Sequence, residues 1–349
     1  MELKFKILPY LFLVLLTIGF PSCQTKSISE KPHHTSSGYK NPNPTFESKG
    51  LSTVLVWQWE RRKLNHSVNP EDYPEFPVLV NDGEGLRSNE SALSVTWIGH
   101  ASTLVQLEGV NILTDPIWSE RCSPVSFLGP KRYTPPGITM DNLPKIHAVI
   151  LSHNHYDHMD LPSLKEIQKR FQPVFYAGMG NKKFLNENGI TNVREFDWWE
   201  SDTIQGIQIH FTPTQHFSGR GLFDRDETLW GSYILEGKSK SVYFAGDTGY
   251  YSHFSEIGKK WPGIEVAILP IGAYEPRWFM APVHVDPVEA AQAFQDLGAK
   301  YMIPMHYMTF VLSDEKLDIP VPTAAKALEK LGKPKDSLVP LKIGETRFF

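Results

Sequence analysis

Ser152-His153-Asn154-His155-Tyr156-Asp157-His158 is the stretch on which the reading of the fold turns. Three imidazoles and a carboxylate this close together are the donors that suit a borderline divalent ion such as zinc. Just before them, Ala148-Val149-Ile150-Leu151 is a short apolar run of the kind that forms a buried strand. In a loop leaving such a strand, residues i and i+2 can point together while i+4 and i+5 curl back toward a second ion. A polar loop that is merely rich in histidine is the plain competing reading, and this spacing disfavours it.

Working outward, three more donors stand at the ends of apolar runs. His216 follows residues 207–211 and the turn Thr212-Pro213; Asp247 follows Tyr243-Phe244-Ala245-Gly246; His306 follows Tyr301-Met302-Ile303-Pro304-Met305. Each alone is weak, because a His or Asp at a strand end is commonly solvated or capping. Taken together they share one edge of a sheet, the usual place for a site in an α/β protein. Residues 93–98, 110–113, 241–245 and 266–270 read as further strands. Helical patterns cover 161–171, 288–297 (Asp286 as N-cap, Pro287 at the first turn, Gly298 as stop) and 323–331 closed by Gly332. Alternating strands and helices predict a layered α/β architecture.

Composition sets the class. The 349 residues are 41% hydrophobic and 21% charged, ordinary for a chain with a real core. A net charge of −4 leaves no basic surplus for phosphate backbones, so no nucleic-acid partner is expected. At the N-terminus, Lys4 and Lys6 precede an apolar run over 7–20, then Pro21-Ser22-Cys23. That run is too short for a spanning helix, which needs about 20 residues. It reads instead as an export signal over residues 1–22. Cys23 resembles the lipidated first residue of a bacterial lipoprotein, so the expectation is an exported protein anchored to a membrane, on its periplasmic or outer face. Residues 23–46, rich in Ser, Lys, Pro, Asn and His, read as a flexible tether. Residues 47–349 read as one catalytic domain. Cys122, the other cysteine, then has no intramolecular partner and reads as a packing residue.

Several stretches resemble the metallo-β-lactamase superfamily and, within it, the N-acylphosphatidylethanolamine-hydrolysing phospholipase D group. They are Thr96-Trp97-Ile98-Gly99-His100-Ala101, Leu113-Thr114-Asp115-Pro116, Gly129-Pro130-Lys131-Arg132, Asp197-Trp198-Trp199-Glu200, and Phe244-Ala245-Gly246-Asp247-Thr248-Gly249-Tyr250. The most distinctive is Pro270-Ile271-Gly272-Ala273-Tyr274-Glu275-Pro276-Arg277-Trp278-Phe279-Met280, with His284-Val285-Asp286-Pro287 close behind. The resemblance covers roughly residues 40–349. It implies an α/β four-layer αβ/βα sandwich with a dinuclear metal site on its edge. By position, His153, His155 and His216 would hold one ion, Asp157, His158 and His306 the other, and Asp247 would bridge them. Two zinc ions are expected, although His/Asp sites also accept iron or manganese.

The same resemblance implies a phosphodiesterase cleaving N-acylphosphatidylethanolamine-like lipid to N-acylethanolamine and phosphatidic acid. Asp157, Asp247 and His284 are its implied catalytic residues, with His284 near the substrate phosphate. A phospholipid and a membrane are then the partners, and self-association as a homodimer stays open. Residues 51–63 read either as a membrane-facing apolar surface or as a helix packed on the core. Asp115 reads as an orienting partner of a ligand imidazole or as a turn carboxylate, and His100 as a site contact or a satisfied buried histidine. Lys131 and Arg132 read as headgroup contacts or solvated charges. The rival activity is hydrolysis of a lactone, a β-lactam or a nucleotide phosphodiester on the same scaffold, since fold does not fix function. A non-catalytic metal-holding protein is disfavoured because all seven ligand positions are filled.

Overall fold

A computed structural model of the chain describes residues 31–63 and 75–349. The proposed export signal and Cys23 lie outside the described residues. Among the described residues, thirteen strands form two sheets. The first carries β1 (Leu93–Gly99), β2 (Ser102–Leu107), β3 (Val110–Thr114), β4 (Ala148–Leu151), β5 (Val174–Gly178) and β6 (Val193–Phe196). The second carries β7 (Ser201–Ile204), β8 (Ile207–Thr212), β9 (Ser232–Glu236), β10 (Ser241–Phe244), β11 (Val266–Pro270) and β12 (Tyr301–Met305). The last strand, β13 (Thr346–Phe348), returns to the first sheet beside β1. The orders are β13-β1-β2-β3-β4-β5-β6 and β12-β11-β10-β9-β8-β7.

Strand alternation sorts the layers. In β4, Ala148 and Ile150 face the core between the sheets, while Val149 and Leu151 face the outer cluster. That outer cluster includes Leu164 and Ile167 of the helix Leu161–Phe171 and Leu185 of the helix Asn181–Glu187. On the second sheet the helices His253–Lys260, Pro287–Leu297 and Pro320–Lys330 supply Phe254, Phe294 and Leu328 to the main core. The architecture is the four-layer αβ/βα sandwich that the resemblance implied.

The helix Pro287–Leu297 forms as its sequence predicts: Asp286 and Glu289 make a capping box, and Gly298 ends it at φ 64°. The helix Pro320–Lys330 begins three residues before the expected 323, because Pro320 and Pro322 sit in its first turn, where a missing N–H costs nothing. Strand β2 escaped the sequence reading because its polar side chains disguise a fully buried strand. Thr103 pairs with Thr114 at 2.9 Å, and Gln106 donates to Asn111 at 2.9 Å.

Residues 31–43 correct the expectation of a flexible tether over 23–46. His33 and His34 bond the two oxygens of Asp197 at 2.6 and 2.7 Å, and the Tyr39 N–H donates to Asp226. Among the described residues, no helix is long and apolar enough to cross a membrane.

Candidate metal centre

Strands β3, β4, β5 and β6 run parallel, as do β10, β11 and β12; β1 and β8 share the direction of their sheets through two antiparallel steps. The C-terminal ends of β1, β3, β4, β8, β10 and β12 deliver His100, Asp115, the 153–158 loop, His216, Asp247 and His306. His100, Asp115 and His306 leave their strands at φ 55°, 33° and 66°, a left-handed turn that non-glycine residues adopt at a cost and that recurs at functional sites.

Two groups of donors result. In the first, His153 Nε2 lies 2.8 Å and His216 Nε2 3.4 Å from His155 Nδ1. In the second, His158 Nε2 lies 3.2 Å from His306 Nε2, and Asp157 Oδ2 lies 3.3 and 3.4 Å from those two nitrogens. Asp247 faces both groups. Its Oδ2 is 3.1 Å from His158 and 3.9 Å from both His153 and His216, and its Oδ1 is 3.2 Å from His306. His284 Nδ1 stands 4.0 Å from Asp247 Oδ2. All seven residues read from the sequence as ligands therefore converge, and each set of three that the resemblance assigned to one ion is found together.

Partners behind the rings fix which nitrogens face inward. The Val283 carbonyl 2.9 Å from His216 Nδ1 can only accept, so that nitrogen carries the proton and Nε2 presents its lone pair. Ser152 Oγ donates to Asp115 at 2.5 Å and so accepts from His153 Nδ1 at 2.9 Å, again leaving Nε2 free. Asp115 also accepts from His158 Nδ1 at 2.7 Å. It is thus an orienting partner of ligand imidazoles, not a simple turn carboxylate. His100 Nε2 donates to Asp157 at 2.9 Å, which places His100 in the site.

The donor set fits divalent cations. The lone pairs that His153 and His216 present lie 2.8 and 3.4 Å from His155 Nδ1, a spacing that a shared proton satisfies in the metal-free protein and that a cation would take over. Asp247 Oδ1 is buried yet makes no hydrogen bond, as is Nδ1 of His306 and of His284. Burial pushes His153 and His216 well below the usual imidazole range and His155 down to about 4, so these three are neutral and ready to ligate. Burial also opposes charge on His158 and His306, but Asp247 and Asp157 outweigh it. They hold His158 well above its ordinary value and lift His306 to about 9. These carboxylates stand in the structure as the counter-charge to whatever cation occupies the second group.

Other expectations fall differently. The Arg132 guanidinium is engaged by the protein itself, donating to the Ile117 carbonyl at 2.6 Å and the Ser119 carbonyl at 3.2 Å. Lys131 is exposed and pairs with Glu120 at 2.9 Å. Cys122 is buried against Ile117 and Phe310, and burial raises its thiol. The helix Leu51–Lys63 is packed on the core through one side chain and leaves others in solvent. Trp57 is buried, stacked on Phe279 at 5.0 Å and bonded to Asp314, whereas Leu55, Val56 and Trp59 stand exposed.

Two residues that sequence reading left unassigned also support the site. Arg220 donates to the carbonyls of Asn154 and Met159 at 2.7 and 2.9 Å, clamping the ligand loop at both ends. Arg277 donates to the His284 carbonyl at 2.9 Å and pairs with Glu289 at 2.6 Å. Nothing local in the sequence marks either role.

A protein-family model described as "Beta-lactamase superfamily domain" matches residues 110–307. The chain is 40% identical over 297 residues to the N-acyl-phosphatidylethanolamine-hydrolyzing phospholipase D 1 of Caenorhabditis elegans, covering 80% of this chain and 83% of that protein. It is 33% identical over 322 residues to an uncharacterised protein of Mycobacterium tuberculosis, covering 89% of this chain and 84% of that one. Among solved structures, a metallo hydrolase from the archaeon Ignicoccus hospitalis superposes with a TM-score of 0.55 at 24% identity, over 74% of this chain and 98% of its own, and so speaks to the fold alone. The chain belongs to the metallo-β-lactamase superfamily, as a metal-dependent hydrolase homologous to the N-acylphosphatidylethanolamine-hydrolysing phospholipases D.

Proposed function

We propose that this chain is a phosphodiesterase of the phospholipase D type that hydrolyses N-acylphosphatidylethanolamine-like lipids to N-acylethanolamine and phosphatidic acid. The observation that carries this reading is 40% identity over 80% of the chain to an enzyme bearing that activity in its name. In the same reading His153, His155 and His216 would hold one zinc ion and Asp157, His158 and His306 a second, with Asp247 serving both groups. When bound, such a pair of ions supplies a water acidified to near neutral pH and a Lewis acid for the phosphoryl oxygens.

The protein's own groups divide the remaining work. Asp157 and His284 have side chains 14% and 12% exposed, against 3% or less for Asp247, His153 and His216, so they line the open side by which a phosphodiester approaches. Asp157, held by His100, is placed to orient the attacking water and accept its proton. His284, neutral because burial lowers it to about 4, donates a hydrogen bond to a phosphate oxygen. Water oxygen joins phosphorus as the bond from phosphorus to the N-acylethanolamine oxygen breaks, and the leaving oxygen takes up a proton. The exposed Leu55, Val56 and Trp59 support a lipid surface as the place of work. Export and a lipid anchor on Cys23 belong to the same proposal, since they would hold the site beside its substrate.

The test is incubation of the zinc-loaded chain with N-acylphosphatidylethanolamine in mixed micelles. Stoichiometric release of phosphatidic acid is expected. No release, with brisk cleavage of a lactone, a β-lactam or a nucleotide phosphodiester, would replace the lipid by that substrate.

A further inference from the structure

Residues 31–43 complete neither sheet, yet they reach one of the metal donors. Strand β8 ends at Thr212, so His216 lies beyond the sheet and its peptide groups have no ladder partner. Asn41 takes that place. Its Nδ2 donates to the His216 carbonyl at 2.6 Å, and its Oδ1 accepts from the His216 N–H at 2.9 Å. A single planar amide thereby grips both peptide groups of the donor residue, as a neighbouring strand would. Beside it, Asn43 donates to Gln215 Oε1 at 2.8 Å, and Gln215 Nε2 donates to the Pro282 carbonyl at 2.8 Å, one residue before the Val283 carbonyl that orients the His216 ring.

The far end of the segment is tied as firmly. His33 and His34 bond Asp197, and His33 stacks on Trp198 with ring centroids 4.3 Å apart. The 2.6 and 2.7 Å contacts, one to each carboxylate oxygen, are hydrogen-bond distances, and Lys31 Nζ lies 2.8 Å from the same carboxylate. The Lys31 ammonium already supplies a positive charge at this carboxylate, so the cluster serves here as a clamp. Between the two ties the segment borders a cavity of about 930 Å³ that also touches Trp198, Trp199 and Pro213. Directed hydrogen bonds, more than close apolar packing, fix where Asn41 sits.

We propose that Asn41 is a positioning residue for the metal site formed by His153, His155 and His216, and that residues 31–43 are a built part of that site. The inference rests on the reading that those three histidines hold an ion. Groups that orient a ligand from behind typically change metal affinity by about 10- to 100-fold when removed. Asn41→Ala removes both bonds to His216. Asn41→Asp is isosteric and keeps an acceptor for the His216 N–H, but sets a carboxylate oxygen against the His216 carbonyl, so one bond stays and the other becomes repulsive.

The experiment uses the full chain, with zinc as the probe ion, in competition with a chelator of known affinity; melting of the metal-free protein is recorded alongside. Asn41→Ala is expected to weaken one of two bound ions by roughly 10- to 100-fold, and Asn41→Asp, which spoils the contact to the His216 carbonyl, to weaken the same ion. Unchanged affinity for both ions in Asn41→Ala would overturn the proposal, whether or not the metal-free protein melts lower, since a lower melting point alone marks a merely structural role. Should the alanine variant fail to fold, the aspartate variant carries the test, and full affinity there overturns it. An unsubstituted chain that takes up no zinc would instead sink the metal reading itself, and this inference with it.

Discussion

Replacing Asp247 with alanine is expected to lower turnover at least a hundredfold, more than any other single side chain in the site. Its two oxygens are the contacts that join the donor groups: 3.1 Å to His158, 3.2 Å to His306, and 3.9 Å to His153 and His216. Changes behind a ligand already cost about 10- to 100-fold, so loss of a carboxylate facing both groups should exceed that range. The carboxylate also balances charge, since it keeps His158 and His306 protonatable in a buried setting. Asp247→Asn would keep the shape and one acceptor but not the charge, and should fall between wild type and alanine. Turnover and metal content measured on the same samples check both steps. Retained turnover in Asp247→Ala would remove this residue from the mechanism.

The second large effect is structural in origin. Gly246 adopts φ +60°, and a Cβ there would lie 2.4 Å from Ser152 Cβ and 2.8 Å from its Oγ. Ser152 cannot simply step aside, because its hydroxyl links Asp115 to His153. Gly246→Ala therefore combines a left-handed backbone penalty of roughly 1–2 kcal/mol with an overpacking cost of roughly 1–3 kcal/mol. At about 2–4 °C per kcal/mol for a large domain, melting should fall by roughly 4–20 °C. Thermal melting of the metal-free variant reads this directly, and an unchanged midpoint would show that the contact relaxes without cost.

Much of the centre was legible in the sequence because its donors follow short apolar runs, and a strand end fixes where the next side chain goes. The histidines and aspartate of the 153–158 loop, with His216, Asp247 and His306, are local signals of this type. The supports were not legible, because they are pairings between distant parts of the chain. Asn41 and His216 are 175 residues apart, and Arg220 reaches Met159 across 61. An asparagine in a Pro- and Ser-rich stretch carries the same letters whether it is solvated or gripping a ligand. For that reason residues 31–43 read as tether although they pack as structure. Arg132 misled for the converse reason: a charge flanked by Lys131 looks solvated, yet its guanidinium satisfies loop carbonyls beside Phe310.

Seven converging donors, with Asp247 facing both groups, predict two divalent ions per chain in the metal-loaded protein. Elemental analysis of the full chain after zinc loading and desalting measures this without reference to any substrate. A value near two ions per chain is predicted by the geometry of the His153, His158 and Asp247 contacts. A value of one or none would contradict the dinuclear centre.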